Sequence, residues 1–276
     1  MSETHTMQAH VITGGFPPGR PAGHDMDYAR LRLLQFLHED PAVRSTVAND
    51  FTDIATWLPH SQLLITYVAG PYPDDEQNQY LRQWIEAGGR WLALHGTSGG
   101  RATRVDETRQ ARKMVKTSHH DTLGSFFLNH PPLRKFEVRV ADSTHEITRG
   151  LPASFEVIDE LYLIELQAPP THQVLLTTEL AADPSPPGFG FVYDHDTARQ
   201  PDGKTRVLGY ARSLGQGSVA YIALGHCYPP TAKRPSVVDI SVDTADNPNN
   251  LPRGPWETDA FQTLLRNGIQ WGLGRH

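Results

Sequence analysis

The chain predicts an α/β fold in which a mostly parallel sheet is joined to an added β-rich C-terminal half. Three observations carry this reading. Apolar and amphipathic runs alternate between residues 10 and 94. The runs LLITYV at 63–68 and WLAL at 91–94 are continuously apolar, which suits strands covered on both faces. Beyond residue 136 the runs are β-rich and include a hairpin signal.

Residues 10–14 (HVITG) are a short strand ending in Gly-Gly and a Pro-rich loop. Tyr28, Leu31, Leu34 and Leu37 fall at helical spacing over 27–37, with Asp25 or Asp27 placed to cap. A weaker strand at 44–48 precedes the strong one at 63–68. Over 74–87, Leu81, Trp84 and Ile85 share one helical face, acids crowd the first turn, and Gly88-Gly89 stops the helix. The strand 91–94 follows. This alternation implies right-handed βαβ crossovers and a parallel sheet.

In the second half, strands are predicted at 136–140, 155–164 and 173–178. The strands 206–211 and 218–224 flank Leu214-Gly215-Gln216-Gly217, a hairpin turn. A helix over 258–273 closes the chain, with Phe261, Leu264, Leu265 and Ile269 facing inward. The loops at 183–203 and 229–255 are long, and such loops carry function or are floppy. No repeat or clean linker divides the chain, so one domain over 1–276 is expected, with 1–8 a disordered tail.

The 276 residues are 38 % hydrophobic and 20 % charged, a globular composition with ample core material. A net charge of −6 argues against nucleic acid as the partner. No apolar run is long enough to span a membrane, and the polar first residues lack a signal-peptide core. Cys227 is the single cysteine, which excludes an intrachain disulfide. A cytoplasmic protein is expected.

Ligands of open α/β sheets bind outside the carboxyl ends of the strands. Residues following each predicted strand are therefore the site candidates. They are Gly14, Gly15 and, across the loop, His24-Asp25; then Gly70-Pro71-Tyr72; then His95-Gly96-Thr97-Ser98-Gly99-Gly100; and finally Gly225-His226-Cys227. Two strand-end histidines, each beside a glycine, make a stronger case than either alone.

Three chemistries compete for this set. In the first, His95 and His226, with His24, His130 or Glu160, hold zinc or a similar divalent metal. No HExxH or CxxC spacing supports it, and the adjacent His119-His120 are poorly placed to share one ion. In the second, a histidine and a carboxylate such as Asp25 or Glu160 move protons without metal. In the third, Gly96-Thr97-Ser98-Gly99-Gly100 is a nucleophile elbow, with Ser98 served by His226 and by Asp159 or Glu160. That motif arises easily by chance, and 101–116 has a poor apolar stripe for the helix that should follow. Cys227 is a weaker nucleophile candidate still. Each residue also has a bland reading: a histidine capping a strand end, Asp25 capping a helix, His145 ordering the turn before Ile147, and Tyr162 and Trp57 filling core.

Several motifs in order resemble ThuA-like (trehalose-utilisation) proteins. They are Val11-Ile12-Thr13-Gly14-Gly15 with His24-Asp25, Leu94-His95-Gly96, Leu123-Gly124-Ser125-Phe126-Phe127 with His130-Pro131, and His145-Glu146-Ile147-Thr148-Arg149-Gly150-Leu151-Pro152. Asp159-Glu160-Leu161-Tyr162, the hairpin from Leu214 to Tyr221, Leu224-Gly225-His226 and the closing Gly268-Ile269-Gln270-Trp271 complete the set. The match spans residues 11–272. The resemblance implies a flavodoxin-like, class I glutamine amidotransferase-like three-layer sandwich and a role in carbohydrate metabolism. The ligand implied is a sugar, a disaccharide or a 3-keto-glycoside. The amidotransferase cysteine is replaced by His95, so glutamine hydrolysis is not expected, and neither is a nucleotide cofactor. His95, His226 and Glu160 are then the expected catalytic centre, with His24, Asp25, Gly15, Tyr72 and His130 binding substrate around it and His95 and His226 as the metal ligands. Glu146 stands where the family often has proline, and the loops at 101–116 and 229–255 are longer than usual. Self-association into a homo-oligomer is left open, and a non-catalytic sugar-binding module is the alternative from another class.

Overall fold

The computed structural model describes residues 6–16, 23–105, 111–167, 171–229, 237–242 and 253–275. Alternating strands and helices build the first half, as the apolar periodicity requires. They are β1 (Met7–Gly15), α1 (Met26–Leu37), β2 (Val43–Ala48), α2 (Ile54–Trp57), β3 (Leu63–Ala69), α3 (Asp75–Glu86) and β4 (Arg90–Leu94). Asp25 caps α1 by accepting the Tyr28 N–H at 3.0 Å. Asp74 caps α3 in a reciprocal box with Gln77. β1 starts at Met7, which pairs with Val43, so residues 7 and 8 of the expected tail are strand, and residues 1–5 lie outside the described residues.

The segment expected to follow a nucleophile elbow as a helix is instead a hairpin, β5 (Arg101–Arg104) with β6 (Arg112–Val115). Its poor apolar stripe gave no helical face to bury. Beyond it lie α4 (His119–Leu123), β7 (Ser125–Asn129), β8 (Arg134–Val140), β9 (Ser154–Asp159), β10 (Leu163–Leu166), β11 (Gln173–Glu179), β12 (Thr205–Leu214), β13 (Gly217–Ile222) and α5 (Asp259–Gly272). The single strand expected over 155–164 is broken. β9 joins the large sheet, while β10 pairs with β7 in a small one. The interruption is Glu160-Leu161-Tyr162.

Nine strands form the large sheet in the order β2-β1-β3-β4-β13-β12-β11-β8-β9. From β2 to β13 neighbouring strands are parallel; from β13 to β9 they are antiparallel. The parallel half is thus five strands of nine, and the β-rich second half extends the same sheet. β13 returns from the hairpin to lie beside β4, which brings residues some 130 apart in sequence next to each other. Helix α5 presses against the parallel half: a Cβ on Gly272 would lie 2.3 Å from Leu63, and one on Gly268 would lie 3.0 Å from Leu92. Continuous burial of β3 and β4 and of Trp91, Tyr210, Tyr221 and Trp256 runs the core through both halves.

Candidate active site at the carboxyl ends of the parallel strands

Four strand ends converge on one point. His24 lies between β1 and α1, His95 follows β4, Glu160 follows β9, and His226 lies just past β13. One donor atom from each lies within 4.8 Å of every other, and all four residues are buried. The imidazoles of His95 and His226 have centroids 5.4 Å apart, and His24 is 5.2 Å from the first and 4.6 Å from the second. Glu160 Oε2 is 3.0 Å from His226 Nδ1 and 3.8 Å from His95 Nε2.

The backbone at His95 is unusual. Its φ is +43°, the one positive value at a non-glycine residue among the described residues. That conformation costs on the order of 1–3 kcal/mol and persists only where surroundings hold it. Here Tyr221 donates to the His95 carbonyl at 2.8 Å, and the ring stacks on Tyr162 with centroids 4.0 Å apart. His95 Nδ1 is 2.8 Å from the Ala223 carbonyl. A carbonyl only accepts, so Nδ1 carries the proton and Nε2 points a lone pair at the cluster. Burial, reinforced by His24 and His226, pushes the imidazolium form of His95 far below its ordinary range, so the ring is neutral. Nε2 has no hydrogen-bond partner among the described residues. Glu160 behaves oppositely. Burial raises its carboxyl, but the surrounding imidazoles of His130, His226 and His95 outweigh burial and hold it well below the usual carboxylate range.

Asp159 locks this geometry. Its buried carboxylate accepts the N–H groups of Glu160 at 2.8 Å, Gly225 at 2.8 Å and His226 at 3.0 Å. The end of β9 is thereby tied to the segment after β13, and two of the four donors with it. Tyr67 and Trp256 both donate to the Gly225 carbonyl, at 2.8 and 2.6 Å.

Three members of the cluster, His24, Glu160 and His226, line a cavity of about 690 Å³ with Tyr72, His130 and Tyr162 among others, while His95 lies buried behind them. That volume is in the ordinary range of small-molecule sites. His130 sits beside the cluster: its Nδ1 donates to the Pro131 carbonyl at 2.8 Å, and its Nε2 is 3.6 Å from Glu160 Oε2. Tyr72 lines the wall, with its hydroxyl donating to the Gly96 carbonyl. Gly15 and Asp25 do not line the cavity. Gly15 ends β1 in register with Ala69, and Asp25 caps α1 and pairs with Arg253.

The serine-nucleophile arrangement is absent. Ser98 is fully buried and its hydroxyl pairs with the Tyr221 hydroxyl at 2.7 Å rather than with an imidazole. Of the two acids offered for that reading, Asp159 accepts backbone N–H groups, and Glu160, though 3.0 Å from His226 Nδ1, joins the histidine cluster and not Ser98. The Cys227 thiol is buried and pushed up to about 12, so no thiolate is available. His119 and His120 bond the carbonyls of Thr97, Ser98 and Gly99, bracing the turn after His95. His145 accepts the Ile147 N–H, as a turn-ordering residue should. Trp57 stacks on His10, away from the cavity. Sequence reasoning missed Asp159 as the brace, Tyr162 as the ring against His95, and Tyr228, whose hydroxyl is 3.4 Å from Glu160. Of these, only an acid adjoining Glu160 left a readable signal.

The family profile described as ThuA, trehalose utilisation, matches residues 22–241. Among solved structures, a ThuA-like protein from Bacteroides uniformis superposes with a TM-score of 0.61 at 16 % identity, covering 96 % of this chain and 91 % of that one. Another from Parabacteroides merdae gives 0.57 at 16 % identity, covering 98 % and 91 %. A β-galactosidase from Rahnella sp. R3 gives 0.51 at 13 % identity, with 79 % of this chain matching 28 % of that one. At such identities these likenesses show a shared fold. No curated protein matches the chain significantly. A profile match covering well over half of the 276 residues shows that the chain belongs to the ThuA family.

Proposed function

We propose that this chain is a carbohydrate-processing enzyme acting on a sugar, a disaccharide or a 3-keto-glycoside, with His24, His95, Glu160 and His226 holding a divalent cation at the floor of its cavity. The observation that carries the reading is the convergence of four buried donors from four strand ends within 4.8 Å. The donor set fits a cation. Buried imidazole nitrogens beside an ionised carboxylate are the ligands zinc and similar ions take, and the lone pair of His95 Nε2 is aimed at the same point. A cation there supplies a Lewis acid that polarises a sugar carbonyl or hydroxyl.

The chain's own residues supply the rest. The Ala223 carbonyl fixes the tautomer of His95, and Asp159 fixes the backbone of Glu160 and His226. His130 offers Nε2 to the cavity and can hold a proton there, its other nitrogen being committed to Pro131. Tyr72 and Tyr162 line the wall and give a sugar's C–H groups aromatic surface to pack on. The three-layer reading of the fold is supported by α1 meeting α5 and α2 meeting α3 as separate pairs.

Metal analysis of the purified protein tests the proposal. About one equivalent of a divalent metal per chain is expected, lost in His226→Ala and Glu160→Gln together with turnover of a 3-keto-glycoside. A fully active protein after exhaustive chelation would sink the metal-assisted reading. Ligand binding without any product would favour the sugar-binding module instead.

A further inference from the structure

One wall of the cavity carries arginines that form no ion pair among the described residues. The β5–β6 hairpin contributes Arg101, Ala102, Arg112 and Met114 to the lining. The hairpin and the residue just after it carry both paired and unpaired cations. Lys113 is paired with Asp194 at 2.5 Å, and Lys116 with Glu165. Arg101 and Arg112 have no carboxylate within salt-bridge distance among the described residues. Arg104 likewise has none, but of these unpaired arginines only Arg101 and Arg112 line the cavity, in a chain whose net charge is −6.

Arg112 is also oriented. Ala102, Met114 and Arg112 follow the hairpin's alternation onto one face, and the Arg112 guanidinium lies over the Phe191 ring, 5.0 Å from its centroid. Phe191 is itself part of the cavity wall. A guanidinium held over a ring by cation–π attraction can still offer its N–H groups, and its planar fork matches a carboxylate or phosphate in a bidentate pair. The lining also holds the acid Asp74, whose Oδ1 already accepts the Gln77 N–H as the cap of α3.

We propose that the cavity takes an anionic sugar, one bearing a carboxylate or a phosphate, whose charged group is held by Arg112 while the ring reaches the histidine–glutamate floor. This deepens the carbohydrate reading above and rests on it for the sugar part alone. The charged wall and the donor cluster lie in one cavity, so recognition and chemistry act on different parts of one molecule.

Calorimetry on the full-length protein tests this with three probes: glucose, glucuronate and glucose 6-phosphate. One or both acidic sugars should bind at least about tenfold tighter than glucose, as one charge-assisted bidentate pair provides. The advantage should shrink as salt is raised and vanish in Arg112→Gln and in Arg101→Gln/Arg112→Gln. Arg112→Lys should keep only part of it, because the charge remains and the fork is lost. Which acidic sugar gains tells carboxylate from phosphate. Circular dichroism confirms that these exposed substitutions leave the fold intact. Equal or tighter binding of glucose, or an acidic preference unchanged in both glutamine variants, overturns the anionic assignment and leaves the sugar reading standing. If citrate or inorganic phosphate binds in an Arg112-dependent way and none of the three sugars binds, the anion site stands and the sugar reading falls.

Discussion

His95 combines a strained backbone with a fixed ring, and the two features separate by mutation. Its φ of +43° is tolerated several-fold better by asparagine than by most residues, because a short polar side chain can bond locally there. Alanine has no such compensation. Both His95→Asn and His95→Ala remove the Nε2 lone pair and vacate the space beside Tyr162. We expect both to lose bound metal and turnover, and the asparagine variant to unfold later in urea than the alanine variant by about 1 kcal/mol. If alanine proves equally stable, the left-handed turn is not being held against strain. Retained turnover in either variant would remove His95 from the chemistry.

Between strands, Asp159 does for the site what a turn does for a hairpin. Its Oδ1 accepts from Glu160 and His226, and its Oδ2 from Gly225. Asparagine keeps the shape but turns one acceptor into a donor facing an N–H. A buried donor left unmade costs about 1–3 kcal/mol. Asp159→Asn should therefore lower stability by that much and weaken metal retention, while Asp159→Glu should not restore it, since one added methylene misplaces both oxygens. Chemical denaturation alongside metal content reads both effects; normal metal affinity in Asp159→Asn would mean the brace is not needed. The element level also explains what was legible beforehand. β1, β3, α3, β4, the β12–β13 hairpin and α5 announce themselves through local periodicity and Gly or Asp signals, and their placement exposed His95 and His226 as strand-end residues. The break between β9 and β10 did not, because no glycine or proline interrupts residues 155–164 and apolar residues flank the two acids on both sides; what ends β9 is the bonding of Asp159 to a segment more than 60 residues away. The β5–β6 hairpin was hidden for the opposite reason. Its residues have no apolar period, and their order comes from pairing with each other and from Arg112 against Phe191. Gly15 and Asp25 satisfied the strand-end rule yet serve the sheet and the helix, so that rule finds the right rim without saying which side chains turn inward.

Across the whole molecule, buried histidines set how stability responds to acid. His10, His95, His119 and His120 are all buried, and burial lowers each of them, His10 to about 4. In the unfolded chain each takes up a proton near 6.5, whereas the folded chain resists until a lower pH. Their stabilising contribution is complete above 6.5 and is lost as pH falls from 6.5 toward each folded value. Asp159 has the opposite sign. Burial raises it to about 7, so its contribution is present below 3.8 and lost as pH rises through about 7. Half-buried His145 is lowered by burial as well, so five groups against one leave about four net protons, and each is worth about 1.4 kcal/mol per pH unit where it is fully in play. The chelated protein, in which metal loss cannot mimic the effect, should show its urea midpoint falling steeply between pH 7 and pH 5. His10 offers a clean control because it pairs with Thr46 at 2.7 Å and stacks on Trp57, remote from the cavity. His10→Gln should flatten the slope by about one proton while leaving metal content unchanged. A midpoint that holds steady or rises toward pH 5 would show that these rings are not buried neutral, and the neutral His95 on which the metal assignment rests would go with them.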